Sequence, residues 1–180
     1  AEIQEKIFIS LQKKNGLKTQ YDCIVPNVKL YDWESDLLFL DRSQKVYELE
    51  IKTSTSDLKA DFKNKIKKHN KIKYRAGSVP NYFYFVIPER SFGKVEIPEE
   101  YGIICYDEKI STRTARPAKE IHGGRLDIKS KTKLIKSIIC QPISIGKVQS
   151  VITCENQIIL GKTISSFSDS HHINEILWAT

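Results

Sequence analysis

The run VYELEIK, residues 46 to 52, limits the fold more than any other stretch of the chain. Its residues alternate with a period of two, so Glu48, Glu50 and Lys52 share one side of an extended strand while Tyr47, Leu49 and Ile51 share the other. A helix would scatter these groups, whereas a strand gives one face suited to a core and one face crowded with charge.

What precedes the strand supplies its partner. Leu37 to Leu40 form a short apolar run, and Asp41-Arg42-Ser43-Gln44 reads as a turn, which predicts a β-hairpin. If the loop is Arg42, Ser43 and Gln44, Asp41 pairs with Lys45 and Asp36 falls opposite Glu50. A two-residue turn shifts the pairing by one position. In the first register two carboxylates stand about 4.5–5.5 Å apart at their Cβ atoms, and they repel unless a cation lies between them. Oxygen donors with room for water suit Mg²⁺, with Mn²⁺ as a substitute. Lys52 would then orient an attacking water and offset charge that develops on a phosphate. The competing reading is an exposed hairpin face with Glu–Lys cross-strand pairs, which contribute little. The apolar flanks of the strand and the basic segment after it favour the site.

That segment opens at Thr55-Ser56-Asp57 with Ser or Thr as an N-cap, and Leu58, Phe62 and Ile66 recur every four residues. The pattern predicts one amphipathic helix to about Asn70, with Asp57, Asp61, Lys65 and Lys68 along one flank. Acidic residues in the first turns and lysines in the last suit the helix dipole. The lysine density exceeds that need, so Lys63, Lys65, Lys67, Lys68, Lys71 and Arg75 are read as phosphate contacts.

Ile3, Ile7, Phe8 and Leu11 predict a first helix that stops at Asn15-Gly16. YDCIVPNVKLYDW is β-prone but interrupted by Pro26 and Asn27, as in an irregular or edge strand. YFYFVI and YGIICY read as buried central strands. Residues 111 to 125 are basic and polar, suggesting an exposed loop or arm. A helix is expected over about 131–140, β-prone pieces such as QIIL follow, and HINEILWA is a possible final helix. This order describes an α/β fold: a central mixed β-sheet flanked by helices. The 180 residues suit a single domain, with a core over 1–126 and an extension over 127–180 packed on it.

A formal charge of +7 points to a polyanionic partner, nucleic acid foremost, although excess lysine also serves solubility. No run approaches the roughly 20 apolar residues that span a bilayer, and the first residues lack the apolar core of a signal peptide. A soluble, intracellular, cytoplasmic protein with no membrane partner is expected. Cys23, Cys105, Cys140 and Cys154, like His69, His122, His171 and His172, lack metal-ligand spacing and read as reduced thiols and as surface or structural histidines.

The order of a helix, a strand bearing Asp36, a hairpin, Glu50-Ile51-Lys52 and a further helix resembles the PD-(D/E)XK nuclease superfamily. Within it, EIKTSTSDLKADFKNKIKKH followed by YFYFVIP and YGIICY is similar to MmcB-like DNA-repair and phage-associated nucleases. The resemblance covers approximately residues 1 to 126. It implies a restriction-endonuclease-like core and a Mg²⁺-dependent endonuclease that hydrolyses DNA phosphodiesters. Asp36 and Glu50 would be the metal ligands, the Ile51 carbonyl a third, and Lys52 the group that positions the nucleophile. Members often add an acid from the first helix, here Glu5 ahead of Glu2. The first motif reads Ser35-Asp36 instead of Pro-Asp, which leaves Glu34 or Asp41 as substitutes, and Glu48 could replace Glu50 in another register. A homodimer would serve a nuclease that cuts both strands. Two alternatives remain: a non-catalytic DNA-binding module on the same fold, and a protein-interaction domain whose basic face binds an acidic partner.

Overall fold

The hairpin closes as a three-residue loop. Asp41 N–H donates to Lys45 O at 3.0 Å, Gln44 N–H donates to Asp41 O at 2.9 Å, and Gln44 takes the left-handed conformation that ends the turn (φ 65°). Asp41 Oδ1 also accepts from Lys45 N–H at 2.9 Å. The two strands then pair Leu40 with Val46, Phe39 with Tyr47, Leu38 with Glu48 and Leu37 with Leu49. One more step of the same count sets Asp36 across from Glu50.

The computed structural model describes residues 2–14, 21–140, 151–154 and 157–160. In chain order the elements are α1 (Glu2–Lys14), β1 (Tyr21–Val28), β2 (Ser35–Asp41), β3 (Val46–Ile51), α2 (Thr55–Asn64), α3 (Ile66–Tyr74), β4 (Tyr82–Pro88), β5 (Gly102–Tyr106), β6 (Thr112–Arg116), α4 (Ile128–Cys140), β7 (Val151–Cys154) and β8 (Gln157–Leu160). The chain divides into two units, Ala1–Pro142 and Ile143–Thr180. In the second, β7 and β8 pair antiparallel, and QIIL is the latter strand. HINEILWA lies outside the described residues.

The first unit is an α/β fold around a six-stranded mixed sheet in the order β1-β2-β3-β4-β5-β6. β3, β4 and β5 run parallel, and the outer pairs are antiparallel. Parallel β3 and β4 need a crossover, which α2 and α3 supply. On one face of the sheet, Ile7, Phe8 and Leu11 of α1 pack on Leu37, Phe39, Leu49, Val86 and Ile104. Leu58 of α2 and Ile72 of α3 join a second cluster with Phe83, Phe85, Ile87 and Ile103. Each such large apolar side chain contributes about 1.5–3 kcal/mol by leaving water.

Two expectations change. The single helix over 55–70 is two helices, because Lys65 leaves helical geometry (φ −106°, ψ 33°) and the chain restarts at Ile66. The break takes Ile66 off the apolar stripe, where it is 56% exposed, and Ile72 supplies the buried contact instead. Residues 112–116 are not part of a loop: Thr112 is buried and the segment pairs with β5 as an edge strand, where alternating Thr residues suit the pleat. The first unit includes α4: Asp127 caps it through Ser130 N–H, and Leu134 is buried among Val25, Leu38, Leu40 and Val46. β1 is an edge strand that keeps Pro26 in its ladder, opposite Leu37, where a missing donor is tolerated.

Candidate functional site

Strand alternation turns Glu48, Glu50 and Lys52 toward α2 and α3, and all three are buried. Three unpaired charges in such a place would be prohibitive, so each must find its partner there. The partners arrive on the two helices. Ser54 caps α2 by accepting from Asp57 N–H at 3.1 Å, while Asp57 Oδ2 accepts from Thr53 N–H at 3.1 Å, one residue before the cap, and the two bonds set where the helix begins. One turn after Asp57 comes Asp61, at a core position three residues from Leu58, and both are buried.

Lys52 Nζ lies 2.8 Å from Glu50 Oε1 and 2.5 Å from Asp61 Oδ2. Lys65, at the helix break, contacts the same Glu50 oxygen and stands 3.1 Å from Asp61 Oδ2. Lys68 bridges Glu48 Oε1 at 2.7 Å and Glu50 Oε2 at 2.6 Å, with its ammonium 4.8 Å from the Phe83 ring centre. Trp33 Nε1 donates to Glu48 Oε1 at 2.8 Å. His69 Nε2 lies 2.8 Å from Asp61 Oδ1, and its Nδ1 lies 3.1 Å from Tyr101 Oη. Three lysines thus face three carboxylates, with Asp36 a fourth at the edge of the cluster.

Asp36 Oδ2 accepts from Ile51 N–H at 2.7 Å, which ties the end of β2 to β3, and Oδ1 has no hydrogen bond among the described residues. Burial pushes the Asp36 carboxyl up, and the charge on Glu50 adds to the effect. Burial also raises Glu48, only partly offset by Lys68. Glu50 goes the other way: burial would raise it, but Lys68 and Lys52 together hold it below the ordinary carboxylate value. Burial is likewise outweighed at Asp61 by the bonds from His69 and Lys52, which keep it far below the usual range. Lys68 and Lys65 are held above the ordinary amine value, because the carboxylates overcome desolvation. Asp36 and Glu50 are therefore unequal neighbours, one well neutralised and one poorly.

The structure brings Asp36, Glu50, Ile51 and Lys52 together and joins Glu48 to Glu50 through Lys68. It scatters the other acidic candidates. Glu5 is exposed with no partner among the described residues, Glu2 pairs with Lys6 at 2.6 Å, and the α1 side chain that reaches this corner is Gln4, donating to Asp36 O at 2.6 Å. Glu34 is exposed, and Asp41 lies at the hairpin turn, the opposite end of β2. Of the six cations read as an outer basic face, Lys68 is 4% exposed and held by two glutamates, so it cannot serve that face, and Lys65 turns half inward. Lys63, Lys67 and Arg75 are exposed, and half-buried Lys71 pairs with Asp32.

Asp61, His69, Trp33 and Tyr101 were not anticipated as parts of the site. Asp61 carried a signal in its spacing from Leu58, which places an acid on the buried stripe. The other three come from separate segments, and no local pattern joins them.

Among the described residues no three His, Cys, Asp or Glu side chains form a ready-made metal cage, and no helix is long and apolar enough to cross a membrane. Cys105 is a buried free thiol. No family model matches the chain, and no curated protein does. Among solved structures, a protein of unknown function from Silicibacter pomeroyi is similar over 64% of this chain and 70% of its own, with 18% identity and a TM-score of 0.47.

Proposed function

We propose that the protein is a Mg²⁺-dependent DNA endonuclease that hydrolyses phosphodiester bonds at the end of β3. The observation that carries this reading is the hairpin register, which sets Asp36 across from Glu50, with Lys52 Nζ 2.8 Å from the Glu50 carboxylate. The likeness of the E-x-K strand and its following helix to PD-(D/E)XK nucleases supports it.

The residues present suit a hard divalent cation. One carboxylate oxygen of Asp36 has no hydrogen bond among the described residues, and its carboxyl is raised by burial and then by the charge of Glu50, a repulsion that a cation between them would relieve. Asp36 and Glu50 would hold the ion, with the Ile51 carbonyl beside them. When bound, such an ion lowers the pKa of water and withdraws charge from a phosphate oxygen. Lys52 is fixed by Glu50 and Asp61, so its ammonium is oriented before substrate arrives and can stabilise charge on the attacked phosphate. Asp61, itself held by His69, acts as a positioning residue for Lys52.

One observation favours a non-catalytic DNA-binding module instead: both oxygens of Glu50 already hold lysines. A panel of duplex, branched and single-stranded DNA incubated with Mg²⁺, Mn²⁺ or EDTA separates the two readings. Cleavage that needs the metal and disappears in Asp36→Asn and Glu50→Gln, with DNA binding kept, is the expected result. Cleavage by both variants would overturn the assigned site. Binding without cleavage of any substrate would favour the module.

A further inference from the structure

We infer that the recess bounded by the end of α3, the loop at Arg125 and the first turns of α4 is a track for the phosphate backbone of a nucleic-acid strand. It shares its partner class with the proposed function but needs none of that chemistry.

Two cavities of about 170 and 900 Å³ adjoin here, both lined by Ser78, Asp127 and Ser130. Arg75 and Arg125 border the smaller one, and Lys129, Lys133 and Lys136 border the larger. These lysines follow the i, i+4, i+7 spacing, so they form one row along α4. The cations thus come from three separate segments of chain, which a merely lysine-rich helix would not require.

Nearby acid does not neutralise Arg75, Arg125, Lys129 or Lys136, and Lys133 donates to Leu30 O at 3.1 Å. Asp127 accepts from Ser130 N–H at 2.9 Å and from Ser130 Oγ at 2.7 Å, serving as the cap of α4. Asp32 is paired with Lys71 and also lies within electrostatic reach of Lys29 and Lys133, so one carboxylate sits among three cations. Arg75, Arg125, Lys129 and Lys136 have no carboxylate partner among the described residues. Elsewhere on the surface Lys45, Arg113 and Lys119 each have one.

The row from Lys129 to Lys136 extends about 10 Å, which suits successive phosphates better than one compact anion. Serine hydroxyls beside Lys and Arg are ordinary phosphate partners. α3 connects the two regions, since Lys68 beside Glu50 and Arg75 at the recess are separated by about 10 Å of helix.

The test is fluorescence anisotropy of labelled single-stranded and duplex oligonucleotides in EDTA over a salt series. The proteins are wild type, the triple variant Lys129→Glu/Lys133→Glu/Lys136→Glu, the double variant Arg75→Glu/Arg125→Glu, and Lys6→Gln, a change at an exposed α1 lysine paired with Glu2. The triple variant should bind at least about 10-fold more weakly, with a log K against log salt slope shallower by about two to three, and Lys6→Gln should bind as wild type. The double variant should lose affinity in the same direction, which keeps the inference testable if reversing three charges on α4 unfolds it. Wild-type affinity and slope in the charge-reversal variants would overturn the track, as would displacement of the oligonucleotide by an equal charge of polyglutamate. If these variants lose binding while no DNA is ever cleaved, the track stands and hydrolysis fails. If cleavage depends on Glu50 but the variants bind normally, the track fails alone.

Discussion

The two faces of β3 meet opposite physical demands within six residues. Toward α1, Leu49 packs among Leu37, Phe39 and Val86, where the interaction is non-directional and proportional to the area buried. Toward α2 and α3, Glu48 and Glu50 are equally sheltered, but each needs a specific cation at a specific oxygen. Apolar residues of similar volume would often serve stability as well as a buried ion network or better. The charged face is therefore poor value as a structural device, and the contrast directs attention to chemistry there.

The largest effect should come from removing the shared cation. Lys68→Ala leaves Glu48 and Glu50 buried without the group that bridges them, and a loss of about 3–5 kcal/mol is expected in urea unfolding. Lys68→Met should recover little, because it restores volume and not charge. On the other face Leu49→Ala should cost about 3 kcal/mol, whereas Leu49→Met should cost under about 1.5 kcal/mol. If Lys68→Met proved as mild as Leu49→Met, the two faces would not differ in kind.

Legibility followed the same division. Period, hairpin turn and apolar stripes locate the sheet and α1 because they depend on neighbours in sequence, and Asp41 with Gln44 set the register that brings Asp36 to Glu50. The break at Lys65 was hidden, since Asn64-Lys65-Ile66 carries no glycine or proline and the apolar spacing continues through Ile66. Its cause is tertiary: leaving the helix there lets Lys65 and Lys68 both reach Glu50. The basic run looked like a surface for the same reason, because a lysine's sequence context does not reveal that glutamates await it inside.

Acid should act on the charged face in a specific direction. Glu50 and Asp61 lie below their ordinary values once the lysines and His69 have outweighed burial, so their contribution is complete above the usual carboxylate range and is lost as pH falls below about 4. Urea midpoints across that range should fall for the wild type, and Asp61→Asn should lower stability at neutral pH while flattening the acid slope. Parallel curves for the two proteins would show that Asp61 does not carry the linkage.

Asp36→Asn should have the smallest effect on stability and the most informative one on function. Its carboxyl is raised by burial and then by Glu50, so the ionised form opposes folding at neutral pH, and this penalty fades as pH falls through the raised value. Asparagine removes the charge and keeps an oxygen that can accept from Ile51 N–H. Stability at neutral pH should equal or exceed wild type in urea unfolding, and the variant's advantage should shrink as pH falls through the raised value. Metal-dependent cleavage should disappear at the same time. A residue whose removal stabilises the fold while abolishing activity is retained against the interest of the fold, which is the expected behaviour of a metal ligand. A destabilised Asp36→Asn with unchanged cleavage would instead make Asp36 a structural clip between β2 and β3.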